Sequence, residues 1–153
     1  MGTTNSSFDA NSDAVRKHLD ILQDVIRRMA SNSASCKTWC ITLVSAILVL
    51  AGNKDNANYA PIAFLPALLF FFLDTYYLAL EKQFRDSYNT FVGDLHKSGT
   101  VPLASLYRVV PQGSLTTALW NSVASFAIWP FYLPLVVVIG LLISIPIVVF
   151  GST

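Results

Sequence analysis

The sequence predicts an all-α membrane protein built on a transmembrane helical hairpin, and three observations support this fold class. Hydrophobic residues make up 54% of the 153 residues and charged residues 12%, whereas soluble domains average about 25% charged residues. Two apolar segments, residues 38–52 and 60–80, are separated by a short polar loop at residues 53–59. The second segment approaches the length of about 20 residues that crosses a bilayer. Both must be helical, because backbone polar groups cannot remain unpaired in hydrocarbon.

The N-terminal region divides into a polar tail and an amphipathic helix. Residues 1–12 are small and polar, and they are predicted to be disordered. Ser12 or Asp13 is the expected N-cap of the helix that follows. Apolar residues then recur at spacings of 4, 3, 4 and 3, at Val15, Leu19, Leu22, Ile26 and Met29. This pattern indicates a helix with one packing face, which contacts either a neighbouring helix of this chain or a partner protein.

The first apolar segment carries a row of hydroxyl residues. Trp39 lies near one end of the segment, where aromatic residues mark a membrane interface. Thr38, Thr42 and Ser45 share one helix face. Such residues usually form helix–helix hydrogen bonds worth about 0.6–2 kcal/mol each, and the alternative is that they line a polar pathway.

The second apolar segment contains a proline and an acid. Pro66 is expected to kink the helix. Asp74 lies six residues before Leu80, roughly 9 Å from the end of the apolar segment at 1.5 Å per residue. A carboxylate at the bilayer centre costs about 2.5–3.5 kcal/mol on insertion scales. Asp74 therefore handles protons or ions, forms a structural ion pair, or extends to the membrane interface as an unpaired acid. For the ion pair the predicted partner is Lys37, which is also expected to approach Glu81.

A second amphipathic helix follows the second apolar segment and is predicted to end near Gly99. Two such helices leaving the same side of a hairpin should pack antiparallel, and we call the pair (residues 15–29 and 84–95) the stalk. Residues 13–98 thus form a helix–span–span–helix unit. The predicted stalk interface consists of Leu19, Leu22, Ile26, Met29, Phe84, Tyr88 and Phe91.

The C-terminal third is predicted to return to the membrane. Residues 99–113 form a linker with a short interfacial helix at residues 103–109. Residues 114–153 hold either an interfacial or re-entrant helix (114–128), broken at Trp129-Pro130 and followed by a span, or a tight pair of spans. Three crossings are favoured and four remain open. Asn121 and Ser125 mark a polar face in this region, which serves either self-association or packing within the chain.

The distribution of Lys and Arg predicts the orientation. Five precede the first span, one lies in the first loop and four lie between the second and third apolar regions. Because positively charged loops stay in the cytoplasm, the N-terminus and the stalk of this multi-pass protein are expected to be cytoplasmic, and with three crossings the C-terminus is expected to be outside. No signal peptide is recognisable, so the first span is expected to act as its own insertion signal.

Several function classes are disfavoured. No nucleophile elbow, phosphate loop or metalloprotease motif occurs, so neither an enzyme nor a cofactor is expected. A net charge of +1 without a basic patch gives no reason to expect nucleic-acid binding. Cys36 and Cys40 are too close on one helix for a disulfide. With His18 and His96, they match no standard zinc spacing.

The layout of residues 13–97 resembles the SLATT family of bacterial membrane proteins. The resemblance rests on the helix–span–span–helix order and on the sequences DVIRRMASNSASCKTW and LDTYYLALEKQFR. It implies an antiviral effector that oligomerises and permeabilises the inner membrane in a nucleotide-signal-dependent defence system. The apolar region after Leu115 departs from the two-span pattern. Without a sensor domain, the trigger is expected to come from a separate protein. The alternative function is a membrane anchor or accessory subunit that docks a cytoplasmic enzyme.

Overall fold

The computed structural model describes residues 7–52 and 54–150 and confirms an all-α fold. A two-stranded ribbon is the one β element of the described residues. The elements in chain order are β1 (Ser7–Asp9), α1 (Asp13–Ala51), a 3₁₀ helix (Lys54–Ala63), α2 (Phe64–Ser98), β2 (Thr100–Pro102), a 3₁₀ turn (Leu103–Ser105), α3 (Leu115–Val123) and α4 (Trp129–Phe150).

Helix α1 runs without a break from the stalk into the first apolar segment. Ser12 is its N-cap, as predicted, and the Ser12 hydroxyl accepts a hydrogen bond from the Val15 backbone N–H at 3.4 Å. The helix extends for 39 residues, because neither Gly nor Pro interrupts the sequence before Gly52.

Helix α2 is the second long arm of the hairpin. It ends at Ser98, and its C-cap Gly99 adopts φ +68° and donates its backbone N–H to the Leu95 carbonyl at 2.9 Å. Glycine suits this left-handed cap because it has no Cβ. The expected kink at Pro66 is wrong. The α-helix begins at Phe64, so Pro66 lies in its first turn, where the missing N–H costs no hydrogen bond.

The connection between the two arms is helical rather than an open loop. Residues Lys54–Ala63 form a 3₁₀ helix that contains Pro61. Asn53, which precedes them, lies outside the described residues. The prediction of a polar loop at residues 53–59 is therefore wrong for residues 54–59.

The hairpin packs through two separate groups of buried residues. At the stalk end the buried cluster consists of Val15, Phe91, Leu95, Val101 and Leu106. At the other end α1, the 3₁₀ helix, α2 and α4 bury Cys40, Val44, Ala63, Ala67, Ile128, Tyr132 and Ile139. The predicted antiparallel stalk is therefore present, and α4 adds a third helix to the apolar end.

The N-terminal tail is partly ordered, which corrects the prediction of disorder for residues 7–12. Strand β1 pairs antiparallel with β2, with Phe8 opposite Val101. Phe8 packs against the stalk cluster, and this apolar contact orders the ribbon. Residues 1–6 of the predicted tail lie outside the described part of the chain.

The linker also differs from its prediction. The expected interfacial helix at residues 103–109 is reduced to the single turn Leu103–Ser105. Tyr107 adopts φ +62°, and this left-handed conformation cannot continue a right-handed helix.

The predicted helix at residues 114–128 is shorter than expected. Helix α3 ends at Val123, and tight turns lead to α4. The Trp129 indole Nε1–H donates to the Val123 carbonyl at 2.8 Å. This bond satisfies one of the carbonyls that a helix C-terminus leaves free.

Two helical segments, Asp13–Ala51 and Tyr59–Ser98, are long and apolar enough to cross a membrane. The described apolar part of α4, Trp129–Ser144, is shorter, and residues 151–153 of the predicted C-terminal region lie outside the described chain. On α1 the exposed large hydrophobic residues begin at Trp39, and on α2 they end at Tyr76. The exposed apolar surface of the hairpin is thus confined to the end opposite the stalk.

Candidate functional site

A buried polar cluster joins α1 to α2 where the stalk meets the apolar end of the hairpin. Ser33 and Lys37 lie one turn apart on α1 and face Asp74 of α2, which is fully buried. The Ser33 hydroxyl donates to Asp74 Oδ1 at 2.5 Å, and Lys37 Nζ lies 2.5 Å from Asp74 Oδ2. The predicted ion pair between Lys37 and Asp74 is therefore present.

The Lys37 ammonium neutralises the Asp74 carboxylate within the cluster. Lys37 Nζ also donates to the Ser33 hydroxyl at 3.4 Å, so one serine links the ammonium to the carboxylate. Burying a carboxylate alone is costly, and a close cation repays much of that cost. The geometry favours the structural ion pair over the ion-handling alternative.

Glu81 does not join this cluster. Its carboxylate accepts a hydrogen bond from Arg85 Nη2 one turn along α2. The expected approach of Lys37 to Glu81 is therefore replaced by a local pair on the surface of α2.

Two thiols and a hydroxyl lie beside the cluster. Cys36 and Cys40 are buried on the same side of α1 as Ser33, and both are free thiols. Thr75, next to Asp74, donates its hydroxyl to the Phe71 carbonyl of its own helix at 2.7 Å. Among the described residues, no group of three or more His, Cys, Asp or Glu side chains is placed to hold a metal ion.

The predicted hydroxyl row lies on a different face from Asp74. Thr38, Thr42 and Ser45 are exposed, whereas Asp74 is enclosed between the helices. The Thr38 and Thr42 hydroxyls donate to carbonyls one turn earlier on α1, at 3.3 and 2.8 Å. The two predicted parts of the polar membrane face are therefore not brought together within one chain.

The polar residues of the α3 region also remain apart from Asp74. Asn121 is exposed, and its backbone carbonyl accepts a hydrogen bond from Lys82 Nζ at 3.2 Å. Ser125 is half-buried at the turn after α3. Between them, Ser122 is fully buried and its hydroxyl finds no partner among the described residues.

The residues of the predicted stalk interface differ in how deeply they are buried between the two helices. Leu22 and Phe91 are buried, and Tyr88 accepts a hydrogen bond from Gln23 Nε2 at 3.2 Å. The half-buried members are Leu19, Ile26, Met29, Phe84 and Tyr88.

Sequence reasoning missed two residues that the structure places at sites. Ser33 bridges the ion pair, and its position one turn before Lys37 was a usable signal. His18 is 1% exposed, and its Nδ1 accepts the Tyr107 backbone N–H at 3.0 Å. No sequence pattern links His18 to a residue 89 positions away. His18 and Cys36 are 18 residues apart on one helix, about 27 Å at 1.5 Å per residue, so the unfavoured zinc set is not assembled.

Comparisons with known proteins add no relative. No protein-family model, no curated protein and no solved structure matches this chain.

Proposed function

We propose that the chain is a small multi-pass protein of the bacterial inner membrane that self-associates and permeabilises the membrane when a cytoplasmic trigger acts on the stalk. This is the activity that the SLATT-like layout implies. In this proposal α1, α2 and α4 cross the bilayer, the stalk is cytoplasmic and the C-terminus is outside.

The row of exposed hydroxyls on α1 is the observation that carries the proposal. Thr42 and Ser45 lie on the outer surface of the bundle, on the part of α1 where Ile41 and Leu43 are also exposed. Association in a bilayer draws on close packing and interhelical hydrogen bonds rather than on hydrophobicity. An outward row of small hydroxyl residues is therefore suited to contact the same row of a second copy.

The closed interior of one chain supports the same proposal. Asp74 is fully buried and compensated by Lys37 and Ser33, so its carboxylate offers no open polar path between the helices. A path for ions or solutes is therefore expected to form between copies.

The position of the ion pair supports the membrane placement. Lys37 lies two residues to the stalk side of Trp39, and Asp74 lies two residues to the apolar side of Tyr76. The pair is therefore at the level where the exposed large hydrophobic residues of α1 and α2 stop. Aromatic residues at such a boundary are typical of a membrane interface.

Dye uptake by cells that overproduce the protein tests this function. We expect uptake from the unaltered chain and its loss when Thr42→Val and Ser45→Ala remove the outward hydroxyls. Thr42→Ser is the matched control, since it keeps the hydroxyl and should keep the activity. No uptake from the unaltered chain, or equal uptake from the double variant, would contradict the proposal.

One observation favours the alternative function of an anchor that docks a cytoplasmic enzyme. The outer side of the stalk helix α1 carries a shallow groove lined by Ile21, Val25 and Arg28 among others. Mixed apolar and charged lining is typical of a surface that receives an amphipathic helix. Co-purification of one partner, lost on Val25→Asp and kept on the exposed control Lys17→Asp, would support this alternative.

A further inference from the structure

A cleft of about 490 Å³ opens on the side of the stalk, between α2 and the segment that follows β2. Its volume lies in the range of small-molecule sites. Its apolar floor includes Leu22 and Phe91, and its polar lining includes His18, Thr90, Arg108 and Gln112. At 1.5 Å per residue, His18 is about 28 Å along α1 from Lys37, so the cleft is remote from the apolar end.

His18 is held in one orientation at this cleft. Its Nδ1 accepts the Tyr107 backbone N–H at 3.0 Å, and the ring packs against Phe91 with a centroid distance of 4.5 Å. Because Nδ1 is the acceptor, the neutral ring carries its proton on Nε2. His18 is 1% exposed and lines the cleft.

The backbone at Tyr107 is strained in making this bond. Tyr107 adopts φ +62°, a conformation that bulky residues rarely take. Strain of this kind is concentrated at binding and catalytic sites. Here it places the N–H that fixes the His18 tautomer and so makes Nε2 the donor of the ring.

Two further groups of the cleft can donate to a ligand, whereas the hydroxyl groups of its lining already donate within the chain. Arg108 makes no ion pair with a described residue, and the Gln112 amide oxygen accepts from Thr90 Oγ1 at 3.2 Å, which leaves the Gln112 NH₂ group free to donate. Asp94 is the acid in the lining, and it disfavours a ligand with two negative charges. One carboxylate satisfies the donors with the least repulsion from Asp94.

We infer that this cleft binds a small monoanionic carboxylic acid with an apolar body, whose carboxylate accepts hydrogen bonds from His18 Nε2 and Arg108 while the body covers Phe91. A guanidinium pairs well with a carboxylate. The inference does not depend on the proposed permeabilisation, and its test measures binding alone.

Histidine NMR on the full chain in nanodiscs at pH 7.5 tests the site, with benzoate as the probe. The chain has two histidines, and the exposed His96 is an internal control outside the cleft. We expect a saturable shift of the His18 signals with no shift of His96. Benzyl alcohol, which lacks the charge, and phenyl phosphate, which is mainly a dianion, should each bind at least tenfold more weakly.

A pair of matched variants separates the site from general charge attraction. Arg108→Gln should weaken benzoate binding at least tenfold, whereas Lys97→Gln removes the same charge from an exposed residue outside the cleft and should leave it unchanged. The ligand-free His18 signals of Arg108→Gln report whether the Tyr107 bond persists. An unsaturable His18 shift, equal binding of benzyl alcohol or tighter binding of phenyl phosphate would overturn the inference, as would unchanged binding to a folded Arg108→Gln.

Discussion

The two ends of the hairpin pack the same pair of helices with opposite chemistry. In the stalk, large apolar side chains such as Leu22 and Phe91 fill the interface. At the apolar end, the interface between α1 and α2 buries small side chains such as Cys40 and Ala67, while large hydrophobic residues such as Leu68 face outward. Along each continuous helix, large apolar side chains are therefore buried at the stalk end and exposed at the other end.

The proposed membrane placement, with the stalk in water and the other end in lipid, accounts for this difference. In water, burial of apolar area drives two helices together at roughly 25 cal/mol per Å². In lipid that driving force is lost, and close packing of small residues with interhelical hydrogen bonds replaces it. In this placement the Lys37–Asp74 pair lies at the boundary between the part of the hairpin that packs in water and the part that packs in lipid.

The largest expected effect comes from breaking the ion pair at this boundary. Lys37→Met leaves the fully buried Asp74 without its cation, and loss of one partner of a buried pair costs about 3–5 kcal/mol. We expect unfolding in detergent to show a loss of this size, and the double variant Lys37→Met with Asp74→Asn to recover much of it.

Arg27→Met is the matched control for that experiment. It removes the cation of the pair with Asp24, whose two side chains are 77% and 70% exposed, and exposed pairs contribute about 0–1 kcal/mol. Equal destabilisation by the two single variants would show that the buried pair has no special role.

The next largest effect tests how closely the two helices pack at a small residue on the stalk side of the Lys37–Asp74 pair. Ala79 is fully buried on α2, and Ala79→Leu should destabilise the chain by about 1–3 kcal/mol, the usual cost of overpacking. Ala34→Leu makes the same change on an exposed position of α1 and should stay within about 0.5 kcal/mol. Thermal unfolding in nanodiscs measures both, and a neutral Ala79→Leu would mean that the helices are not closely packed there.

The sequence was sufficient for the features that depend on local pattern. Helical periodicity and caps gave the long helices, including the ends at Ser12 and Gly99. The Lys37–Asp74 pair followed from antiparallel register together with the cost of an isolated buried charge. Both inferences need only residue spacing and the polarity of each position.

The features that depend on distant contacts were not predictable in this way. The pairing of Phe8 with Val101 orders a tail whose composition indicates disorder. The contact of Tyr107 with His18 requires a left-handed backbone at an aromatic residue, which no local propensity favours. The hydroxyl row and Asp74 were grouped by polarity, and helix rotation separates them.

The smallest effect is a pH dependence that belongs to the stalk. Burial lowers the pKa of His18 below its usual value of about 6.5, and protonation of Nδ1 would also remove the acceptor of the Tyr107 N–H. The groups around the cleft include both signs of charge, in Asp94 and Arg108. Between pH 6.5 and the folded-state pKa the unfolded chain binds more protons, so stability falls as pH falls, by at most about 1.4 kcal/mol per pH unit.

Unfolding free energies between pH 7.5 and 5.5 measure this slope against a matched pair of variants. His18→Phe keeps an aromatic ring against Phe91 but cannot titrate, so its stability should be nearly flat over this range. His96→Phe removes the exposed histidine and should retain the acid-induced loss. The contact between His18 and Tyr107 exists only in the folded stalk, so the loss of stability in acid should depend on His18. Equal pH slopes of the unfolding free energy in the two variants would show that His18 does not cause this loss.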